Sequence, residues 1–200
     1  MLKLVLGSII IAKNPLRIKD LTELLGVKDA FLDSIIGQLH PILSLGDSSY
    51  LHICHQSVAD FLLDSQRSQD LWVDPQFYSL QFAGSCLKLM NETLKFNFFD
   101  LKTSYILNKD IPELNVHIKS VKSTALHHAS YFWASYLQRG GDKILQLEVQ
   151  AAVESFLMVH LLHWLEIMSV MGTVNHAAQL LLSVVNWSQV SIQMYGLLLS

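Results

Sequence analysis

The segment from residue 50 to residue 64, YLHICHQSVADFLLD, constrains the fold most strongly because its apolar pattern changes period part of the way along. Its first five residues are typical of a short strand, and the residues that follow favour a helix that begins near Ser57, a good N-cap residue. His55 lies at the junction of the two predicted elements. That position makes His55 the first candidate for a functional residue.

Three helix-like segments precede this junction, at residues 1–13, 16–25 and 28–39, each with apolar residues at helical spacing. Residues 42–45 and 50–54 are strand-like. The sequence GDSS between them consists of residues that are typical of turns, so a β-hairpin is predicted. Three helices, a hairpin and a further helix are the element order of a winged helix. We therefore expect a mainly α fold with an N-terminal winged-helix domain at residues 1–66.

The remaining chain predicts an α-helical domain at residues 67–200, after a polar boundary near residues 65–68. Residues 96–115 are expected to be irregular. The C-terminal residues are apolar and stop without a cap or polar tail, which favours truncation within a longer protein. The predicted helices of this domain span residues 75–95, 120–138, 148–168 (with a break) and 175–185.

Composition narrows the class of protein. Hydrophobic residues make up 51% of the chain and charged residues 16%, so part of the apolar surface is expected to be covered by a partner. Only Cys54 and Cys86 are present, which fits a reducing, cytoplasmic compartment. The apolar windows at residues 4–12 and 156–174 are too short or too interrupted for a membrane span.

Charge argues against the usual role of a winged helix, which is binding DNA through its third helix. Residues 1–66 contain five lysines and arginines against seven aspartates and glutamates. The third predicted helix carries Lys28 but also Asp29 and Asp33. A DNA-binding surface must neutralise phosphates, so no nucleic-acid partner is expected.

The sequence gives little indication of a metal site, a catalytic nucleophile or a phosphate-binding loop. One helical spacing is shared by His160, His163 and Glu166, but no further residue completes a set of metal ligands, so no metal site is predicted. These polar side chains are expected at the edge of the helix, beside its apolar face. Neither a G-x-S-x-G nucleophile motif nor a G-x-x-x-x-G-K-[ST] phosphate loop occurs. We expect a non-enzyme that binds no cofactor by itself.

An ordered set of segments resembles the region that follows the ATPase core in fungal NACHT signalling proteins, often those of mushroom-forming fungi that carry WD or other repeats. The likeness covers nearly the whole chain. The segments that resemble the winged helix are GSIIIAKNPLRIKDLTELLG, FLDSIIGQLHPIL and ICHQSVADFLLD. Those that resemble the following helical region are LWVDPQFY, CLKLMNETLKFNFFDL, ALHHASYFWASYL and FLMVHLLHWLEIMSVMG.

The resemblance implies a regulatory fragment that stabilises the ADP-bound, inactive state of a NACHT ATPase in fungal innate immunity. The histidine before the last winged-helix helix contacts the β-phosphate of ADP in that family, and by position it is His55. ADP or ATP would be bound by the parent protein, and the partners would be its NACHT nucleotide-binding domain and its repeat domain. The family's His-Lys-Ser-Phe is here His55-Gln56-Ser57-Val58, which lacks the lysine and the aromatic residue.

Two alternatives remain open from the residues alone. The chain could be a stand-alone helical adaptor that binds a partner helix or peptide through an apolar groove, as its apolar composition suggests. A DNA-binding regulator is the weaker alternative, because of the charge balance.

Overall fold

The fold is mainly helical with one small antiparallel sheet, as predicted. The computed structural model describes residues 2–46, 49–103, 105–114, 116, 118, 123–138 and 143–196. The helices of these residues are α1 (Leu2–Ile11), α2 (Ile18–Leu25), α3 (Asp29–Leu39), α4 (Gln56–Leu63), α5 (Ser65–Ser68), α6 (Pro75–Thr93), α7 (Thr124–Leu137), α8 (Lys143–Val159), α9 (Leu161–Val170) and α10 (Ala177–Gly196). The strands are β1 (Leu43–Leu45) and β2 (Leu51–Ile53), and 3₁₀ turns span Gln69–Leu71, Asn108–Asp110 and Val174–His176.

The predicted hairpin forms after α3. Strands β1 and β2 pair antiparallel, with Leu43 opposite Ile53 and Leu45 opposite Leu51. A third extended segment borders β2, because Arg17 forms a bridge with Tyr50 and the Leu51 N–H donates to the carbonyl of residue 16 at 2.9 Å. The hairpin therefore lies against the connection between α1 and α2.

Local chemistry explains the end of α2 and the start of α6. Gly26 follows α2 with a φ of 62°, a left-handed conformation that glycine adopts without steric cost. Asp74 caps α6 by accepting from the Gln76 N–H, and Pro75 occupies the first turn, where its missing N–H costs nothing. Helix α6 ends at Thr93, two residues before the predicted end.

The predicted helix at residues 148–168 is two helices, α8 and α9, and begins at Lys143. The predicted break is present: the two helices bend by 73° at His160. In a straight helix Phe156 and Trp164 would lie about 12 Å apart along the axis. The bend instead lets both rings contact Trp133, at centroid distances of 5.2 and 6.0 Å.

The apolar core is continuous from the N-terminal helices to the later ones. Helices α1 and α2 pack on α6, and α2 also packs on α7. Their buried apolar side chains belong to one cluster with those of the C-terminal helices. The predicted division between residues 66 and 67 falls in α5, which Asp64 caps, and it stays a prediction.

Two findings concern the later helices. The helix predicted at residues 120–138 begins at Thr124, and residues 120–122 lie outside the described part of the chain. The helix predicted at residues 175–185 is longer and extends to Gly196, while the predictions for residues 197–200 lie outside the described residues.

Where the structure describes the chain, no single helix has the length and apolarity to cross a membrane; the bent α8–α9 pair meets those criteria only when both helices are taken together.

Candidate functional site

His55 lies where β2 gives way to α4, as predicted, and its side chain is exposed. Its backbone is extended, with φ −148° and ψ 138°, and it is the N-cap residue of α4. The prediction that Ser57 would cap this helix was wrong. Ser57 lies within the first turn of α4, and the His55 ring caps the helix by accepting from the Ser57 N–H.

The hydrogen bonds of the His55 ring define which nitrogen carries its proton. The Ser57 N–H donates to His55 Nδ1 at 3.2 Å, and the Ser57 Oγ lies 2.8 Å from the same nitrogen. A proton on Nδ1 would meet the Ser57 N–H hydrogen, so the neutral ring is protonated on Nε2. Nε2 is then a hydrogen-bond donor.

The neighbours of His55 add few charges. The Gln56 side-chain amide donates to Asp60 Oδ1 at 3.0 Å, one turn along α4, and both residues are exposed. No lysine or arginine occurs between residues 50 and 64. The N-terminus of α4 contributes a partial positive charge, which favours an anion. The site offers one donor and a helix end, so firm phosphate binding requires further groups from a partner.

The other histidine sets do not converge on a site. His160 and His163 approach through their Nδ1 atoms at 3.4 Å, while the Glu166 carboxylate accepts from the Asn97 N–H at 3.2 Å. Within the described ranges, no group of three or more histidine, cysteine, aspartate or glutamate side chains is arranged to hold a metal ion. His52 is exposed on β2, where it is paired with Ser44.

His128 is the polar residue whose environment sequence reasoning missed. It is 4% exposed, and its Nε2 lies 2.9 Å from the hydroxyl of Tyr136, which also accepts from the Lys13 backbone N–H at 2.9 Å. Burial, and secondarily the neighbouring His127, lower the pKa of His128 from 6.5 to about 4. The neighbouring His127 stacks on Tyr131.

Two cavities lie away from His55. One of about 530 Å³ is bounded by the segment around Asn97 and Tyr105 and by Glu166 of α9. The other, of about 390 Å³, lies between the α1–α2 connection, the hairpin and α7, and His128 lines it. His55 lines neither cavity, so its accessibility comes from its position on the surface.

Comparisons with protein-family models, with curated proteins and with solved structures give no match to this chain. The likeness to fungal NACHT proteins therefore rests on the segments quoted above. The geometry of His55 and the order of the elements are the observations on which a function can be argued.

Proposed function

We propose that this chain is the regulatory region of a NACHT-type signalling ATPase, a winged helix followed by a helical domain. In this proposal His55 donates a hydrogen bond to the β-phosphate of ADP held by a NACHT nucleotide-binding domain. The chain stabilises the inactive state and links the ATPase to sensor repeats, in fungal cytoplasm. It performs no catalysis.

The order of the N-terminal elements supports a winged helix. Three helices precede the β1–β2 hairpin, and α4 follows it directly. The bridge between Arg17 and Tyr50 adds a third extended segment at the edge of the hairpin, between α1 and α2, where winged helices carry their first short strand. This bridge was not foreseen from the sequence pattern.

The observation that carries the proposed role of His55 is its geometry. The ring is exposed and its Nδ1 is engaged by Ser57, so Nε2 is the nitrogen that would donate to a ligand. A charge-assisted bond to a phosphate oxygen is stronger than a neutral one. Such a donor is suited to an oxyanion that another domain presents.

The mechanism is a two-state switch. His55 gains its hydrogen bond only when a diphosphate is bound and the winged helix is docked, so ADP and the docked state stabilise each other. Loss of ADP removes this contact, and the winged helix separates. A single charge-assisted bond of about 1.5–3 kcal/mol corresponds to about tenfold to a hundredfold in the docking equilibrium.

The proposal is tested by ADP release. A fungal NACHT nucleotide-binding domain is loaded with a fluorescent ADP, the chain is added in excess, and the rate of nucleotide loss is followed. The wild-type chain should slow the release, and His55→Ala should remove most of that effect. His40→Ala changes another exposed histidine of the same region and should behave as the wild type. Equal release rates with and without His55 contradict the proposal.

A helical adaptor is the second candidate, favoured by an exposed apolar corner between α8 and α9. Met158 is 87% exposed and Leu162 is 76% exposed, which is unusual for such large apolar side chains. An adaptor would bind its partner regardless of nucleotide. Met158→Glu and Leu162→Glu would then abolish partner binding, and His55→Ala would leave it unchanged.

A further inference from the structure

We infer that the larger cavity, beside α9, is a binding site for a free α-amino acid with an aromatic or large aliphatic side chain. Its volume of about 530 Å³ falls within the range of about 300–1,000 Å³ that is usual for small-ligand sites. A cation, Lys102, and an anion, Glu166, both line it. The inference goes beyond the proposed function, because the cavity lies away from His55 and shares no residue with the contacts of that ring.

The segment that follows α6 forms one wall of the cavity and is attached to α9 at two points. The Asn97 N–H donates to Glu166 Oε2 at 3.2 Å, and the Asn108 side-chain amide donates to Ser169 Oγ at 3.3 Å. Positions three apart on a helix lie on the same face, so the two attachments are close together. The Asn97 side chain also brackets Leu101, donating to its carbonyl at 3.1 Å and accepting from its N–H at 2.8 Å. The cavity is therefore held in shape by the protein's own hydrogen bonds.

The two charges that line the cavity do not pair with each other. Glu166 uses one carboxylate oxygen, Oε2, for the Asn97 N–H. Among the residues that the structure describes, neither Glu166 Oε1 nor Lys102 Nζ has a hydrogen-bond or ion-pair partner. A free α-amino acid carries an ammonium and a carboxylate on one carbon, so it can bind Glu166 and Lys102 at the same time. Such charge-assisted hydrogen bonds are stronger than neutral ones.

The apolar part of the cavity specifies the side chain of the ligand. Phe96 is 81% exposed and Tyr105 is 98% exposed, although both line the cavity. The remaining apolar lining is Leu101, Ile106 and Val170. Because covering exposed rings with an apolar group is favourable, a large side chain gains from contact with Phe96 and Tyr105. A small side chain such as that of alanine would leave these rings in water.

The test is a titration of the full chain, labelled with ¹⁵N, with L-phenylalanine, followed in backbone amide spectra. Resonances of residues that line the cavity should shift on binding. Three analogues each lack one recognised group: L-alanine the ring, N-acetyl-L-phenylalanine the ammonium, and L-phenylalaninamide the carboxylate. Each should bind at least about tenfold more weakly than L-phenylalanine. The two blocked analogues also represent the ends of a peptide, which present only one of the two charges.

Two variants assign the charges to their partners. Glu166→Gln keeps an oxygen that can accept from the Asn97 N–H but removes the anion, and Lys102→Gln removes the cation. Each should weaken the binding of L-phenylalanine about tenfold. Glu166→Gln should leave the binding of N-acetyl-L-phenylalanine unchanged, because that analogue has no ammonium to lose. Lys88→Gln changes an exposed lysine of α6 that does not line the cavity, and should bind as the wild type.

Several results would overturn the inference. One is the absence of any shift at the cavity with millimolar L-phenylalanine. Another is equal binding of L-phenylalanine and its blocked analogues, which would indicate a site for apolar groups or peptide ends. A third is unweakened binding by Glu166→Gln or Lys102→Gln in a protein whose amide spectrum shows that it is folded. None of these measurements involves nucleotide, so they leave the proposed role of His55 to its own test.

Discussion

Acidification should destabilise this fold through His128, because the folded protein holds that imidazole neutral. The ring is 4% exposed and lies between Phe82 and Phe132, at centroid distances of 5.9 and 4.9 Å. Its Nε2 is hydrogen-bonded to Tyr136, at 2.9 Å. A charge on this ring would be desolvated by the surrounding core.

The magnitude follows from the lowered pKa. The pKa of His128 falls from 6.5 to about 4 on folding, first through burial and then through the charge of His127. Between pH 4 and pH 6.5, His128 is mostly protonated in the unfolded chain and mostly neutral in the folded chain. The contribution of neutral His128 to the free energy of unfolding is therefore fully present above pH 6.5. It falls as the pH drops toward 4, by about 3 kcal/mol between pH 7 and pH 4.

Besides Tyr136 and His127, the titratable groups near His128 include Asp20, Tyr50 and His52, which line the same cleft. Their contributions are separated from that of His128 by comparing the wild type with His128→Gln. The glutamine amide can still reach a hydroxyl but does not titrate. Urea unfolding is measured across this pH range for both proteins, and the His128 ring resonances are titrated by NMR.

The wild type should lose stability more steeply than the His128→Gln variant as the pH falls, by about 3 kcal/mol over the full range. Replacement of the exposed His40 by glutamine should leave the wild-type slope in place. Two results would refute the reasoning: identical slopes for wild type and His128→Gln, or ring resonances of His128 that titrate near 6.5.

Further predictions concern packing. Tyr136→Phe removes the hydroxyl that accepts from the Lys13 N–H and contacts His128 Nε2, and should lower the free energy of unfolding by about 1–3 kcal/mol in urea titrations, because both partly or fully buried hydrogen bonds are lost. Gly7→Ala places a Cβ 2.6 Å from the Tyr78 ring, where α1 packs on α6, and should cost about 1–3 kcal/mol. The matched change is Gly37→Ala in an exposed part of α3, where an added Cβ would have no atom within 4 Å; it should raise the free energy of unfolding by about 0.5–1 kcal/mol. A similar response at both glycines would contradict the packing argument.

Features set by neighbouring residues were predictable from the sequence. The hairpin formed where strand-like runs flank a polar turn, and α2 ended at Gly26, whose left-handed conformation is a local property. The position of His55 at the end of the strand followed from the same local pattern. The cap of α4 was predicted wrongly because serine is preferred at N-caps, whereas the His55 ring accepts the N–H of residue 57.

Features set by distant residues were not predictable. His128 is buried because Tyr136 and the end of α1 meet around it, and Lys13 and Tyr136 are 123 positions apart. The bend at His160 satisfies the packing of two rings on Trp133, which lies on another helix. The tautomer of His55 required the actual distances to Ser57.

The central claim, that His55 donates from Nε2 to a nucleotide phosphate, is tested most directly by the ¹⁵N resonance of that nitrogen in the complex. The chain, labelled at its histidines, is mixed with a fungal NACHT nucleotide-binding domain loaded with ADP or with an ATP analogue. The ¹⁵N resonance of His55 Nε2 should shift in the direction of a stronger donor with ADP and should keep its free value with the analogue. A resonance that is unchanged by the ADP-loaded domain, or that shifts equally with both nucleotides, would contradict it.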